Sequence, residues 1–188
     1  NELIAQTGLG RAYGQLGDVE RSRACFVAVA EGSHALGDPY SEGHALNNLG
    51  ALEFEIGDPA VAMEAYRRAY DLHLASGNPE GSITPAKNIA TALTDLGRLD
   101  DAAAVLEEAL GTCERNNYLA LRAMILEQRG IVRRQQGRHA EAAALFRRSL
   151  QPPQACTPTQ QARSLIELAK TLAVQDSTDL GLAVLDTR

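Results

Sequence analysis

Four histidines (His34, His44, His73 and His139), three cysteines (Cys25, Cys113 and Cys156) and the acidic pairs Asp100-Asp101 and Glu107-Glu108 are the residues of this chain whose types could support catalytic or metal chemistry. Their spacing assembles no such site. No two histidines stand four apart, as a helix-borne metal pair requires, and the cysteines form neither a C-x-x-C nor a disulfide framework. There is no G-x-S-x-G, no phosphate loop and no G-x-G-x-x-G ahead of a helix; Gly8-Leu9-Gly10 is too short a match and follows no strand. Asp100-Asp101 fit the start of a helix and Glu107-Glu108 a solvated face better than an acid/base pair. Cys25 and Cys113 fall among apolar positions and read as core thiols. His73 reads as packed on a helix face, and His34 and His139 as surface residues. The chain is expected to be no enzyme and to need no metal or cofactor.

Arginine is the other chemical signal. Between Leu121 and Leu150 seven arginines (Arg122, Arg129, Arg133, Arg134, Arg138, Arg147 and Arg148) face only Glu127 and Glu141, a local excess of five positive charges that leaves −11 for the rest of a chain whose net charge is −6. Guanidinium clusters suit acidic or phosphorylated segments through bidentate hydrogen bonds, although such runs are more often solvated faces. The overall negative charge argues against direct nucleic-acid binding, which wants a basic footprint. No apolar run reaches the ~18 residues a membrane span needs. Three widely spaced cysteines make a reducing cytoplasm the expected compartment.

The elements that position these residues are set by a repeat. Gly17, Gly57, Gly97 and Gly137 are 40 apart, and Gly10, Gly50, Ala90 and Gly130 keep the same interval. So do Ser22, Ala62, Ala102 and Ala142, and so do Phe26, Tyr66, Leu106 and Phe146. Each unit reads as a helix, a glycine turn and a second helix. Gly57 ends one helix at low cost, Asp58 caps the next and Pro59 fits its first turn. Ala62, Tyr66, Ala69, Tyr70 and His73 then share one face by the 3.6-residue period. An Ala- and Leu-rich composition with 4% aromatics suits closely packed helices. First helices are expected near 2–16, 39–56, 82–96, 119–136 and 160–175, and second helices near 19–36, 59–76, 99–116 and 139–151, with a further start near 179–188. Pro85 is expected to delay or kink the third first helix, and Pro152-Pro153 to end the fourth hairpin in a loop reaching Thr159.

Leu9-Gly10-x-x-Tyr13 with Gly17 and Phe26, and Leu49-Gly50 with Ala62, Tyr66 and Ala69, resemble the tetratricopeptide repeat pattern. The period is 40 rather than about 34. The longer form, with Asn47-Asn48-Leu49-Gly50 and the closing Gly37-Asp38 and Gly77-Asn78, is similar to repeats of kinesin light chains, spindle-orientation adaptors and bacterial regulatory proteins. The resemblance implies an all-α, right-handed α-solenoid of tandem helix-turn-helix repeats. It covers residues 1–188 as a single domain, with repeats about 1–38, 39–78, 79–118 and 119–158 and a partial one at 159–188, read as a fragment of a longer protein. Arg129 in the leucine column, and Glu53 and Arg133 in the Tyr13 column, depart from the pattern.

The resemblance also implies that first helices line a concave groove holding an extended peptide or a helix. Carried over by column, the groove residues are Arg11 and Gln15; His44, Asn47, Ala51, Phe54 and Glu55; Thr84, Lys87, Thr91, Thr94 and Asp95; and Met124, Glu127, Ile131, Arg134 and Gln135. Asn48 and Asn88 lie one position off that face, where they either reach a ligand or bridge adjacent helices. An asparagine amide offers both donor and acceptor, matching a peptide backbone. The expected function is protein or peptide binding as the sensor or adaptor part of a larger, bacterial signalling protein, with an acidic segment at the fourth repeat. The alternative is a structural module for self-association, or for intramolecular docking that regulates an attached enzyme or DNA-binding domain.

Overall fold

The computed structural model describes residues 2–152 and 156–186, with side chains through Val174. Its helices are α1 (Glu2–Gln15), α2 (Val19–Ala35), α3 (Pro39–Glu55), α4 (Pro59–Ala75), α5 (Pro79–Asp95), α6 (Leu99–Arg115), α7 (Leu119–Gln135), α8 (His139–Ser149) and α9 (Pro158–Asp186). The six helices from α2 to α7 are each 17 residues long. The half-repeat is therefore 20 residues, and the extra length over the shorter repeat form is shared evenly between both helices. The chain divides into two compact units, Asn1–Leu96 and Gly97–Arg188, at the turn after α5.

One turn chemistry serves nearly every corner. Gly17, Gly37, Gly57, Gly77, Gly97 and Gly137 all take φ between 67° and 90°, and Asn117 does so at 56°. These are left-handed positions, where a missing Cβ or a short amide side chain costs least. The next residue then returns its N–H to the helix just ended, as when Asp58 N donates to Glu53 O and Asn78 N to His73 O. In the first unit that same residue caps the following helix. Asp18, Asp38, Asp58 and Asn78 accept from the backbone N–H of Arg21, Ser41, Val61 and Gly81 at 3.0–3.2 Å. In the second unit Arg98 and Arg138 replace the cap and instead reach forward to Asp101 and Glu141 at 2.7 Å.

Within unit 1, α1 packs on α2, α2 on α3, α3 on α4, α4 on α5, and α3 also meets α5. The closest approaches rest on the glycine column. A Cβ at Gly10 would lie 2.8 Å from the Phe26 ring, and one at Gly50 would lie 2.7 Å from Tyr66. Unit 2 repeats the device at Gly130 and Phe146, inside a core that includes Leu106, Ile125, Leu126 and Val132. There α7 packs on α6, α8 and α9, and α8 on α9.

Three expectations need correction. Helix α5 starts at Pro79, not near 82, and runs through a buried Pro85. Its first turn is fixed before Pro85 is reached, by the Asn78 cap, by Pro79 at the first helical position and by Ser82 Oγ donating to Pro79 O at 2.7 Å. Helix α9 starts at Pro158, earlier than 160, because Thr157 and Gln160 form a reciprocal capping box, each backbone N–H donating to the other's side chain. It then continues to Asp186 without the break expected between 175 and 179. Ser177 stands where the seven corners from Gly17 to Gly137 have glycine or asparagine, the residue types that take a left-handed turn at least cost. Helix α8 ends at Ser149, and Pro153 lies outside the described residues.

Candidate functional site

Helix α3 carries two adjacent asparagines with different fates. Asn47 Oδ1 accepts from Asn88 Nδ2 of α5 at 2.9 Å, so these amides tie the two first helices together. Asn48 points instead into a depression of about 220 Å³ that it lines with Arg11 and Gln15 of α1 and Ala51 and Glu55 of α3. Phe26 and Leu52 contribute its apolar floor. Gly10 and Gly14, one turn apart on α1, line it as well, and their missing side chains open the space. Among the described residues, Arg11, Gln15, Asn48 and Glu55 make no side-chain hydrogen bond or ion pair. The depression thus offers a guanidinium, two amides and a carboxylate around an apolar floor. That chemistry matches an extended peptide backbone with one polar side chain.

The other expected groove residues of unit 1 surround this patch less directly. His44 is exposed and packs edge-on against Tyr40 and His73, with ring centroids 4.5 and 5.1 Å away. Desolvation lowers the pKa of both histidines, and for His73 the nearby His44 adds to it. Phe54 and Lys87 are half-buried and Thr84 is exposed. Thr91 Oγ1 donates back to Lys87 O at 3.0 Å, and Thr94, which is buried, donates to Ala90 O at 2.6 Å. Both threonine hydroxyls serve their own helix.

In unit 2 the expected positions are largely taken. Glu127 is buried, with Arg163 at 2.7 Å and Ser164 Oγ donating to it at 3.1 Å. Arg134 pairs with Glu167 at 3.1 Å, and Ile131 is half-buried between them in sequence. Carboxylates from distant parts of the chain also meet the arginine-rich stretch. Arg129 pairs with Glu107 and Arg148 with Glu114 at 3.6 Å, while within the stretch Arg133 and Arg138 pair with Glu141 at 3.6 and 2.6 Å. Arg122 donates to Gln151 O at 2.6 Å. The local positive excess is mostly spent on these intramolecular contacts.

Among the described residues no group of three or more His, Cys, Asp or Glu side chains could hold a metal ion, and no helix is long and apolar enough to cross a membrane. Cys113 is buried and Cys25 half-buried.

Tandem helical hairpins repeating every 40 residues define a helical-repeat protein. The chain belongs to the tetratricopeptide repeat family: one model of that repeat matches residues 1–75 and 82–151, and a second matches residues 123–188. No curated protein matches at a significant level. Among solved structures, the chain is similar to BtubC (BKLC) from P. vanneervenii, with 19% identity and a TM-score of 0.78 over 95% of this chain and 75% of that one. It is similar to the Rap conjugation gene regulator of plasmid pLS20, solved in complex with the Phr* peptide, with 18% identity and a TM-score of 0.73 over 91% of this chain. It spans about half, 48%, of that regulator's length. A putative kinesin light chain repeat protein of Podosopora anserina aligns over 99% of this chain and 92% of its own, with 16% identity and a TM-score of 0.73.

Proposed function

We propose that the chain is a non-catalytic binding module that holds a peptide or protein segment against the first-helix face of unit 1. The carrying observation is the set of polar side chains around the α1–α3 depression that make no hydrogen bond or ion pair among the described residues, Asn48 foremost, beside an Asn47–Asn88 bridge that fixes the spacing of α3 and α5. A segment lying there meets amide donors and acceptors suited to its backbone, with Arg11 and Glu55 available to its side chains. The similarity to a regulator solved with a bound peptide supports the same reading. We place the main contact here rather than at the arginine-rich fourth repeat, because carboxylates of the same chain already pair five of its seven arginines. In this reading the module is the sensor or adaptor part of a larger bacterial signalling or regulatory protein and works in the cytoplasm.

The test uses peptides selected against the chain from a library of random linear sequences, with affinity measured by fluorescence anisotropy. Arg11→Ala combined with Asn48→Ala should weaken binding at least about tenfold, the equivalent of ~1.4 kcal/mol, with helix content unchanged. Unchanged affinity in a folded double variant rejects the assignment.

A further inference from the structure

The turn between α4 and α5 differs from its sister turns in two linked residues. At the other three capped corners of unit 1 an aspartate caps the next helix, but here the cap is Asn78. Five residues before it, where the other corners have Tyr13, Ser33 and Glu53, stands His73. The residue is 1% exposed. A Cβ on Gly43 of α3 would lie 2.8 Å from its Nε2, and one on Gly81 of α5 would lie 2.6 Å from its Nδ1. Two glycines therefore clamp the ring and leave no space beside it.

The hydrogen bonds fix its protonation. Asn78 Oδ1 accepts from Gly81 N at 3.0 Å, so the Asn78 amide turns its Nδ2 donor toward His73 Nδ1, 3.3 Å away. Nδ1 is then an acceptor, the proton sits on Nε2, and the ring is neutral. Among the described residues Nε2 has no hydrogen-bond partner.

We propose that His73 and Asn78 form an acid-sensitive latch on α5: a proton arriving on His73 Nδ1 sets donor against donor, and the Asn78 amide relieves this only by releasing the Gly81 N–H. The groups facing the ring do not compensate the new charge. From α3 they are Tyr40, its ring centroid 6.0 Å away, and His44; from the turn and α5 they are Asn78 and Gly81. The buried carboxylate of α3, Glu42, is engaged by His34 at 3.0 Å and Arg68 at 3.8 Å. Desolvation first, and His44 second, lower the His73 pKa. The sign follows: the unfolded or uncapped chain takes up the proton at the ordinary value near 6.5, before the native ring does, so stability is full above that value and falls as pH drops toward the lowered native value. Release of the cap loosens the first turn of α5, the helix that also carries Asn88.

Amide hydrogen exchange of Gly81, expressed as a protection factor and followed by NMR from about pH 7.5 to about pH 5.5, tests the latch. In the natural chain, protection should fall by up to about tenfold per pH unit below the ordinary histidine range. Asn78→Asp keeps the cap, as Asp18, Asp38 and Asp58 do, while giving the protonated ring an acceptor, so Gly81 protection should hold across the range. His73→Gln should also remove the acid loss. The proposal is overturned if Gly81 protection in the natural chain is flat with pH, or if Asn78→Asp loses it as steeply. The aspartate variant decides the matter even if His73→Gln fails to fold.

Discussion

Asn88 Nδ2 donates to Asn47 Oδ1 at 2.9 Å across 41 residues of sequence, joining the first helices of two successive repeats through a pair of half-buried amides. The bond costs each amide its water but returns a directed contact, so truncating either side strands the other. Asn47→Ala and Asn88→Ala should each destabilise the chain by about 1 kcal/mol, and the double variant by less than the sum. Urea denaturation of the four proteins of the cycle measures the coupling. Strict additivity would show that the two amides do not interact in solution.

The glycine column makes a contrast that can be measured within one chain. At Gly50 an added Cβ meets the Tyr66 ring at 2.7 Å and Ala62 O at 3.1 Å, whereas at Gly8 nothing lies within 4 Å. Gly50→Ala should therefore destabilise by about 1–3 kcal/mol through overpacking. Gly8→Ala, inside an exposed stretch of α1, should stabilise by about 0.5–1 kcal/mol through the unfolded state. Thermal melts of the two variants should move in opposite directions.

Cys113 is fully buried in unit 2, and burial first, then Glu114, push its thiol up to about 11. The thiolate needed for attack is scarce near neutral pH and sheltered as well. A thiol reagent should leave Cys113 unlabelled in the native chain and modify it only as denaturant unfolds the second unit, with peptide mass spectrometry reading the site. Labelling at the rate of the half-buried Cys25 would contradict this packing.

Repeat structure was readable because it is written in backbone requirements. A residue at positive φ is needed at each corner, and Gly17, Gly57, Gly97 and Gly137 announce it. The continuation of α9 was harder to read, since Ser177 marks the absence of such a residue rather than the presence of one. Pro85 misled because its cost is local, while the Asn78 cap that offsets it lies a helical turn and more away. The Thr157-x-x-Gln160 box, by contrast, was a signal in plain sight.

Departures from the repeat columns also needed coordinates. Glu53, in an aromatic column, is buried and accepts from Arg23 Nε at 2.6 Å and Nη2 at 3.2 Å, a pairing across 30 residues that no local pattern encodes. The arginine excess between 121 and 150 looked like a partner's site for the same reason, because Glu107, Glu114 and Glu167 lie outside that window. In the candidate site, the column rule put Asn47 on the groove face and Asn48 one position off it, either to reach a ligand or to bridge adjacent helices. The structure ties Asn47 to Asn88 and turns Asn48 to the depression.

Site-directed photo-cross-linking puts the central claim to its most direct test. A benzophenone amino acid replaces Ala51, in the depression between α1 and α3, or Arg67, exposed on α4, and each protein is irradiated with a peptide selected from random linear sequences. Binding on the first-helix face of unit 1 predicts strong capture from position 51 and little from position 67. Capture from position 67 with none from position 51 would contradict it.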